Sequence, residues 1–333
     1  MIDTRKSVLI CLGVSFLLLS GCLPNSFLIT PVSTDRGLEE KVLQRDSWLA
    51  FDKIAVVDID GLIVSGRAPT LFGEGDNPVS RLLEQLDKAR KDDRVKAVLV
   101  RINSPGGAVT ASGLMYDEIR YFRDKSGKPV VAVMMDVAAS GGYYVACACD
   151  EIVAQPTTVT GSIGVIMQTF DASGTLQKIG LASDAITSGP HKDSGSPLRQ
   201  MRPQERELFQ QIVDDMYEKF VAVVVKGRPR LDEARVRSLA DGRVYTAGQA
   251  LECGLIDRIA TLRETVDVLK QRVGADKVQL VTYRKRYEHA PNFYAGPVPA
   301  APGAPGSAQF HLTVPFPPAA GTPQFLYLWA PGL

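Results

Sequence analysis

The apolar positions of this chain fall into blocks of two periods. Lys53–Asp60 (KIAVVDID), Lys96–Ile102 (KAVLVRI) and Val130–Met135 (VVAVMM) are short, nearly continuous apolar runs. That pattern predicts strands covered on both faces. Between them the period becomes helical. Asn77-Pro78 opens a helix, with Asn as N-cap and Pro in the first turn, and Val79, Leu82, Leu83, Leu86 and Ala89 form its stripe. A second helix is predicted over about 110–123, a short one from about Ser140, and a strand over Glu151–Ala154. Pro203–Lys226 reads as a long helix with Phe209, Ile212, Val213, Met216, Phe220 and Val223 as its buried stripe. Glu205 and Glu207 suit its N-terminal dipole and Gly227 its C-cap. A helical hairpin and a strand near Val278–Tyr283 follow. Buried strands alternating with amphipathic helices predict an α/β domain of parallel sheets with packed helices.

The two ends do not share this pattern. Arg5 and Lys6 precede an uncharged, mostly apolar run, Ser7–Leu19, of 13 residues. At ~1.5 Å per residue it is too short for a hydrocarbon core of ~30 Å, so residues 1–21 read as an export signal. Leu19-Ser20-Gly21-Cys22 resembles a bacterial lipobox, whose Cys becomes the lipidated first residue. Residues 22–50 read as a linker. At the other end, Ala290–Leu333 has no charged side chain and holds ten of the 21 prolines. This predicts a flexible tail over 289–333, with Phe325–Trp329 (FLYLW) as the one segment able to dock on an apolar groove.

Composition then removes several functions. With 38 basic and 37 acidic residues, the chain lacks the basic excess of a nucleic-acid binder. Its three histidines are His191, His289 and His311, and two fall in the tail. That argues against a His-built metal site and makes Ser-His-Asp catalysis difficult; no metal or other cofactor is expected. The five cysteines contain no CxxC pair, and Cys147 and Cys149 read as buried free thiols.

Three glycine-rich segments fall where strands end: Asn103–Gly107 (NSPGG), Ala138–Gly142 (AASGG) and Thr160–Gly164 (TGSIG). Ligands gather at such edges of open parallel sheets. Ser140 follows a strand, opens a helix and has small neighbours, which suits an exposed nucleophile and equally suits an N-cap. A serine nucleophile needs a base, and no His lies between Gly141 and Pro190. Lys192, beside His191, is the alternative, since a desolvated lysine can take a proton.

These segments carry a family resemblance. RINSPGG (Arg101–Gly107), DVAASGGYYVACACD (Asp136–Asp150), TTVTGSIGV (Thr157–Val165), SGPHKDSGSPLR (Ser188–Arg199) and DGRVYTAGQALECGLID (Asp241–Asp257) resemble the signal peptide peptidase A (protease IV) family in the family's order. The resemblance implies a Clp protease/crotonase-type fold and a Ser-Lys serine endopeptidase over 51–288. Carried over, Ser140 is the nucleophile and Lys192 the general base. Ser162 orients Lys192, Gly106 and Gly141 supply the oxyanion N–H groups, and His191 has no role. One copy of each motif resembles the short form, a ring-like homo-oligomer in which Ser and Lys meet across subunits. The implied substrates are apolar remnants of cleaved signal peptides. With Cys22 lipidated, the expected location is the bacterial cell envelope, on a membrane facing the periplasm or exterior. Two rivals remain, a crotonase-type acyl-CoA enzyme and an inactive lipoprotein scaffold. The export signal counts against the first and the intact Ser140 and Lys192 against the second.

Overall fold

In the computed structural model, which describes residues 37–66, 69, 70, 73, 74, 77–285, 292 and 325–329, the predicted apolar runs are strands of one large sheet. In chain order the strands are β1 (Glu39–Arg45), β2 (Asp52–Asp60), β3 (Pro69–Thr70), β4 (Gly73–Glu74), β5 (Val95–Ser104), β6 (Gly106–Ala108), β7 (Val130–Ala139), β8 (Glu151–Ala154), β9 (Val159–Gly161), β10 (Ile166–Met167), β11 (Val244–Thr246), β12 (Arg258–Ile259), β13 (Val278–Arg284) and β14 (Phe325–Leu328). The helices are α1 (Pro78–Lys91), α2 (Val109–Ser126), α3 (Gly141–Ala146), α4 (Ser173–Lys178), α5 (Pro203–Gly227), α6 (Glu233–Leu239), α7 (Ala247–Glu252) and α8 (Leu262–Val273).

The sheet runs β1-β13-β2-β5-β7-β8-β12, parallel except for β1, with β9 and β11 branching from β7. Both faces are covered, as the continuous apolar runs require. Along β2, Ala55, Val57 and Ile59 pack in one core with Leu82 and Leu86 of α1 and Met115, Ile119 and Phe122 of α2. The alternate residues Ile54 and Val56 pack in a second core with Leu262, Val266 and Leu269 of α8. Asn77 caps α1 as expected, its side-chain oxygen accepting from the N–H groups of Val79 and Ser80. Cys147 and Cys149 are buried free thiols, and burial pushes the Cys147 thiol up to about 12.

Several local expectations are corrected. β7 runs past Met135 to Ala139, because its first half pairs with β8 and its last three residues with β9. The Thr158 hydroxyl bonds to the carbonyls of Met134 and Met135 and seals this change of partner. In α1, Leu83 is exposed and Gln85 is buried instead, its amide donating to the Tyr283 carbonyl of β13 at 2.9 Å. The apolar stripe of α5 is buried only from Phe220 onward, while Ile212 is exposed. Gly227 is the last helical residue of α5 rather than its cap. A Cβ there would lie 2.8 Å from the Cβ and carbonyl oxygen of Cys147. Strand β11 interrupts the expected helical hairpin.

Both ends add a strand. Glu39–Arg45, inside the stretch read as linker, pairs antiparallel with β13. Phe325–Leu328, inside the tail, becomes β14. Residues 1–36, with Cys22 and the stretch read as an export signal, lie outside the described residues, as do His289 and His311. Among the described residues no helix is long and apolar enough to cross a membrane.

Candidate active site

Two glycine-rich segments interlock at the C-terminal ends of β5 and β7. A Cβ on Gly141 would lie 2.5 Å from Ser112 Oγ, 3.1 Å from Gly106 Cα and 3.2 Å from Gly107 N. A Cβ on Gly142 would lie 2.8 Å from the Ser104 carbonyl oxygen. The Gly-Gly after Ser140 is therefore needed for backbones to touch. Ser104 ties the first segment down: its hydroxyl donates to the Gly61 carbonyl at 2.6 Å and accepts the Gly106 N–H at 3.1 Å.

Ser140 sits where β7 hands over to α3, with φ 52° and ψ −115°. Non-glycine residues rarely hold a positive φ, and such strain clusters at functional sites. Its N–H donates to the Gly161 carbonyl at 2.7 Å, which fixes the strained turn. The side chain caps nothing, so the N-cap reading fails for this hydroxyl. Ser140 is 1% exposed, and among the described residues its Oγ has no hydrogen-bond partner. A buried hydroxyl left unpaired is costly, and a catalytic role is one reason for a fold to keep it.

Ser162 follows β9 and is also buried, with φ 50°. Its N–H donates to the Arg243 carbonyl at 2.7 Å. The structure thus brings together Ser140, Ser162, Gly106 and Gly141 at one edge. It leaves Lys192 apart: that residue is exposed on the turn after Gly189, and no hydrogen bond joins it to Ser140 Oγ. His191 beside it is exposed.

Sequence reasoning missed the brace that holds the Lys192 turn. Arg199 donates to Asp193 at 2.6 Å and to both carboxylate oxygens of Glu205, at 2.9 and 2.5 Å. Arg202 adds its N–H to Glu205 at 3.0 Å and its guanidinium to the Pro190 carbonyl at 2.9 Å. Glu205 is fully buried, and its bonds to Arg199 hold its carboxyl down at about 2. The helix pattern offers Glu205 only as a partner of the dipole; the signal for its burial is the pair of arginines three and six residues upstream.

Comparison with known proteins places these residues in context. The family model of peptidase family S49 matches residues 123–276, which contain Ser140, Ser162 and Lys192. A Clp protease model matches residues 56–168, which contain both glycine segments and stop before Lys192. A putative signal peptide peptidase SppA of Enterococcus faecium is 36% identical over 232 residues, 70% of this chain and 67% of that protein. A putative protease of Synechocystis is 38% identical over 69% of this chain and 78% of its own length. Protease 4 of Haemophilus influenzae is 36% identical over 67% of this chain and 35% of its own length.

Proposed function

The chain belongs to peptidase family S49, as a serine endopeptidase on a Clp protease-like domain, and from that premise we propose that Ser140 is its nucleophile and Lys192 its general base. The observation that carries the assignment is the Ser140 hydroxyl: buried, unpartnered, and held on a strained turn between packed glycine backbones. In this reading neutral Lys192 takes the Oγ proton, and the oxygen attacks a peptide carbonyl. The N–H groups of Gly106 and Gly141 receive the oxyanion, where one donor contributes about 3 kcal/mol. For Gly106 this means sharing the N–H that Ser104 now accepts. Lys192 returns the proton to the leaving amine, water releases the acyl group, and Ser162 orients the lysine.

Lysine acts as a base only when neutral, and loss of water favours that form. Lys192 is exposed in the single chain, so the dyad needs a covering partner. No described residue from Gly164 to Gln204 is buried, and Ile179, Leu181 and Ile186 of this arm are exposed. These features support a homo-oligomer in which the arm of one subunit meets Ser140 of the next. We place the enzyme on a membrane of the bacterial envelope through a lipidated Cys22, where apolar remnants of signal peptides are its substrates. The name of the Enterococcus relative supports that substrate class. Labelling with a fluorophosphonate tests the assignment. The wild type should label and Ser140→Ala should not; equal labelling of the two would reject Ser140.

A further inference from the structure

Lys192 and Asp193 are neighbours on a run of tight turns. The Lys192 N–H donates to the Gly189 carbonyl at 3.2 Å, that of Ser194 to His191 at 3.2 Å and that of Ser196 to Asp193 at 3.1 Å. Along the chain, Asp193 is the nearest counter-ion that Lys192 has. A carboxylate within about 4–6 Å of an ammonium favours the charged form. Such a partner opposes a base, which must be neutral to accept a proton.

The structure gives the Asp193 carboxylate to Arg199 instead. Arg199 Nε donates to it at 2.6 Å, and a terminal nitrogen donates to the Asp193 carbonyl at 3.2 Å. The terminal nitrogens also hold both oxygens of Glu205 and the Gln200 carbonyl. The Asp193 side chain is 15% exposed, and the hydrogen bond from Arg199 holds its carboxyl below the usual range. Glu205 is shared between Arg199 and Arg202. Two acids and two arginines therefore cancel beneath the Lys192 turn. A planar fork of five donors can grip two carboxylates at once, whereas a lysine is a point charge.

The neighbouring segments supply no replacement. His191 is exposed beside Lys192. The segment ahead of α4 meets the turn where the Ala172 N–H donates to the Pro197 carbonyl at 2.7 Å, and its Asp171 is taken by Ser173. Among the described residues no acid forms an ion pair with Lys192, Asp184 of the same exposed stretch included.

We propose that Arg199 is a positioning residue of the Ser140–Lys192 reaction: it captures the carboxylate beside Lys192, so that the ammonium has no counter-ion on its own turn and releases its proton to solvent once a neighbouring subunit begins to cover it. The proposal rests on Lys192 being the base. The neutral Nζ then accepts the Ser140 Oγ proton. Arg199 touches neither substrate nor the reacting atoms and acts through Asp193 alone.

The test is the pH dependence of kcat/KM on an apolar peptide, measured with the full-length oligomer. The wild type should lose activity on an acidic limb, where Lys192 takes up its proton. Arg199→Gln releases Asp193 and should move that limb up by about one pH unit, a roughly tenfold loss of rate on the limb. Adding Asp193→Asn to Arg199→Gln should bring the limb back toward the wild type. A brace that only holds the turn in shape would lower the rate at every pH and leave the limb in place, and that result for a folded Arg199→Gln overturns the proposal. Asp193→Asn alone gives an answer even if Arg199→Gln does not fold. It leaves the Arg199 charge less opposed, so the limb should move to lower pH; an unmoved or raised limb overturns the proposal. Lys192→Ala separates the two readings. Activity that survives it with the same acidic limb removes the base assignment whatever Arg199 does, whereas an inactive Lys192→Ala with unmoved limbs in the other variants removes only the role of Arg199.

Discussion

Ser140 and Ser162 stand one residue beyond a paired couple, Ala139 and Gly161, at the ends of adjacent parallel strands, and both hold a positive φ, 52° and 50°. Each is pinned by its own N–H, Ser140 to Gly161 and Ser162 to Arg243. Such a backbone costs about 1–3 kcal/mol per residue and persists only where its surroundings enforce it. Two serines on one sheet edge are thus held ready at some cost to folding.

That cost should be visible in Ser140→Gly. Glycine accepts this backbone freely, so the variant should be inactive yet more stable than the wild type by about 1 kcal/mol. Denaturant melts of the wild type, Ser140→Ala and Ser140→Gly would show it. A Ser140→Gly protein less stable than Ser140→Ala would mean that the turn is not strained.

Gly106→Ala should cost both stability and activity. Its new Cβ would strike the Tyr327 carbonyl at 2.0 Å and Gly141 N at 2.6 Å, at a φ of 100° that disfavours any side chain. A loss of roughly 1–3 kcal/mol is expected. Wild-type melting and turnover in this variant would contradict the close approach of the two glycine segments.

The proposed sharing of the dyad between subunits predicts complementation. Ser140→Ala and Lys192→Ala subunits, each inactive alone, should regain part of the activity when mixed. Some boundaries then pair an intact Ser with an intact Lys. Lys192→Arg should stay inactive, because Arg keeps its proton. An active isolated monomer, or no rescue after proven subunit exchange, would put both residues in one subunit.

The brace under Lys192 predicts a pH dependence. Hydrogen bonds from Arg199 lower the Glu205 carboxyl from an ordinary value of 4.5 to about 2. A depressed carboxyl stabilises the fold fully above the unfolded value and loses that contribution as pH falls through the folded one. The stability gap between the wild type and Glu205→Gln should therefore be full above about 4.5 and close as pH falls toward about 2. Thermal melts across that window check it; a gap that does not change with pH would mean that the carboxylate charge is not what the brace uses.

Most of the sheet was legible along the chain, because a strand covered on both faces is apolar at most positions and a helix covered on one side must repeat every three to four residues. The apolar run Ile54–Val57 and the Asn77-Pro78 start needed nothing beyond their neighbours, whereas the buried Lys53 and Asp58 are paired with Glu40, Asp92, Arg101 and Arg284. The glycine segments and Ser140 were legible for a related reason, since a strand-to-helix turn at a sheet edge restricts the residues it accepts. The family motifs pointed to Lys192 as well, but not to its surroundings.

The remaining features depended on partners that only the fold brings into place. Gln85 is buried and Leu83 is not because Tyr283, 198 positions on, offers a carbonyl to that turn of α1. Glu205 could be buried only because Arg199 and Arg202 meet it there. The composition of the tail predicts no sheet, yet Phe325–Leu328 is a strand, because β6 and β10 leave a slot between two edges. Periodicity determined which residues form each element. Which surfaces those elements cover, and whether Lys192 ever meets Ser140, depends on non-local pairing, whose energy appears only when both partners are in place.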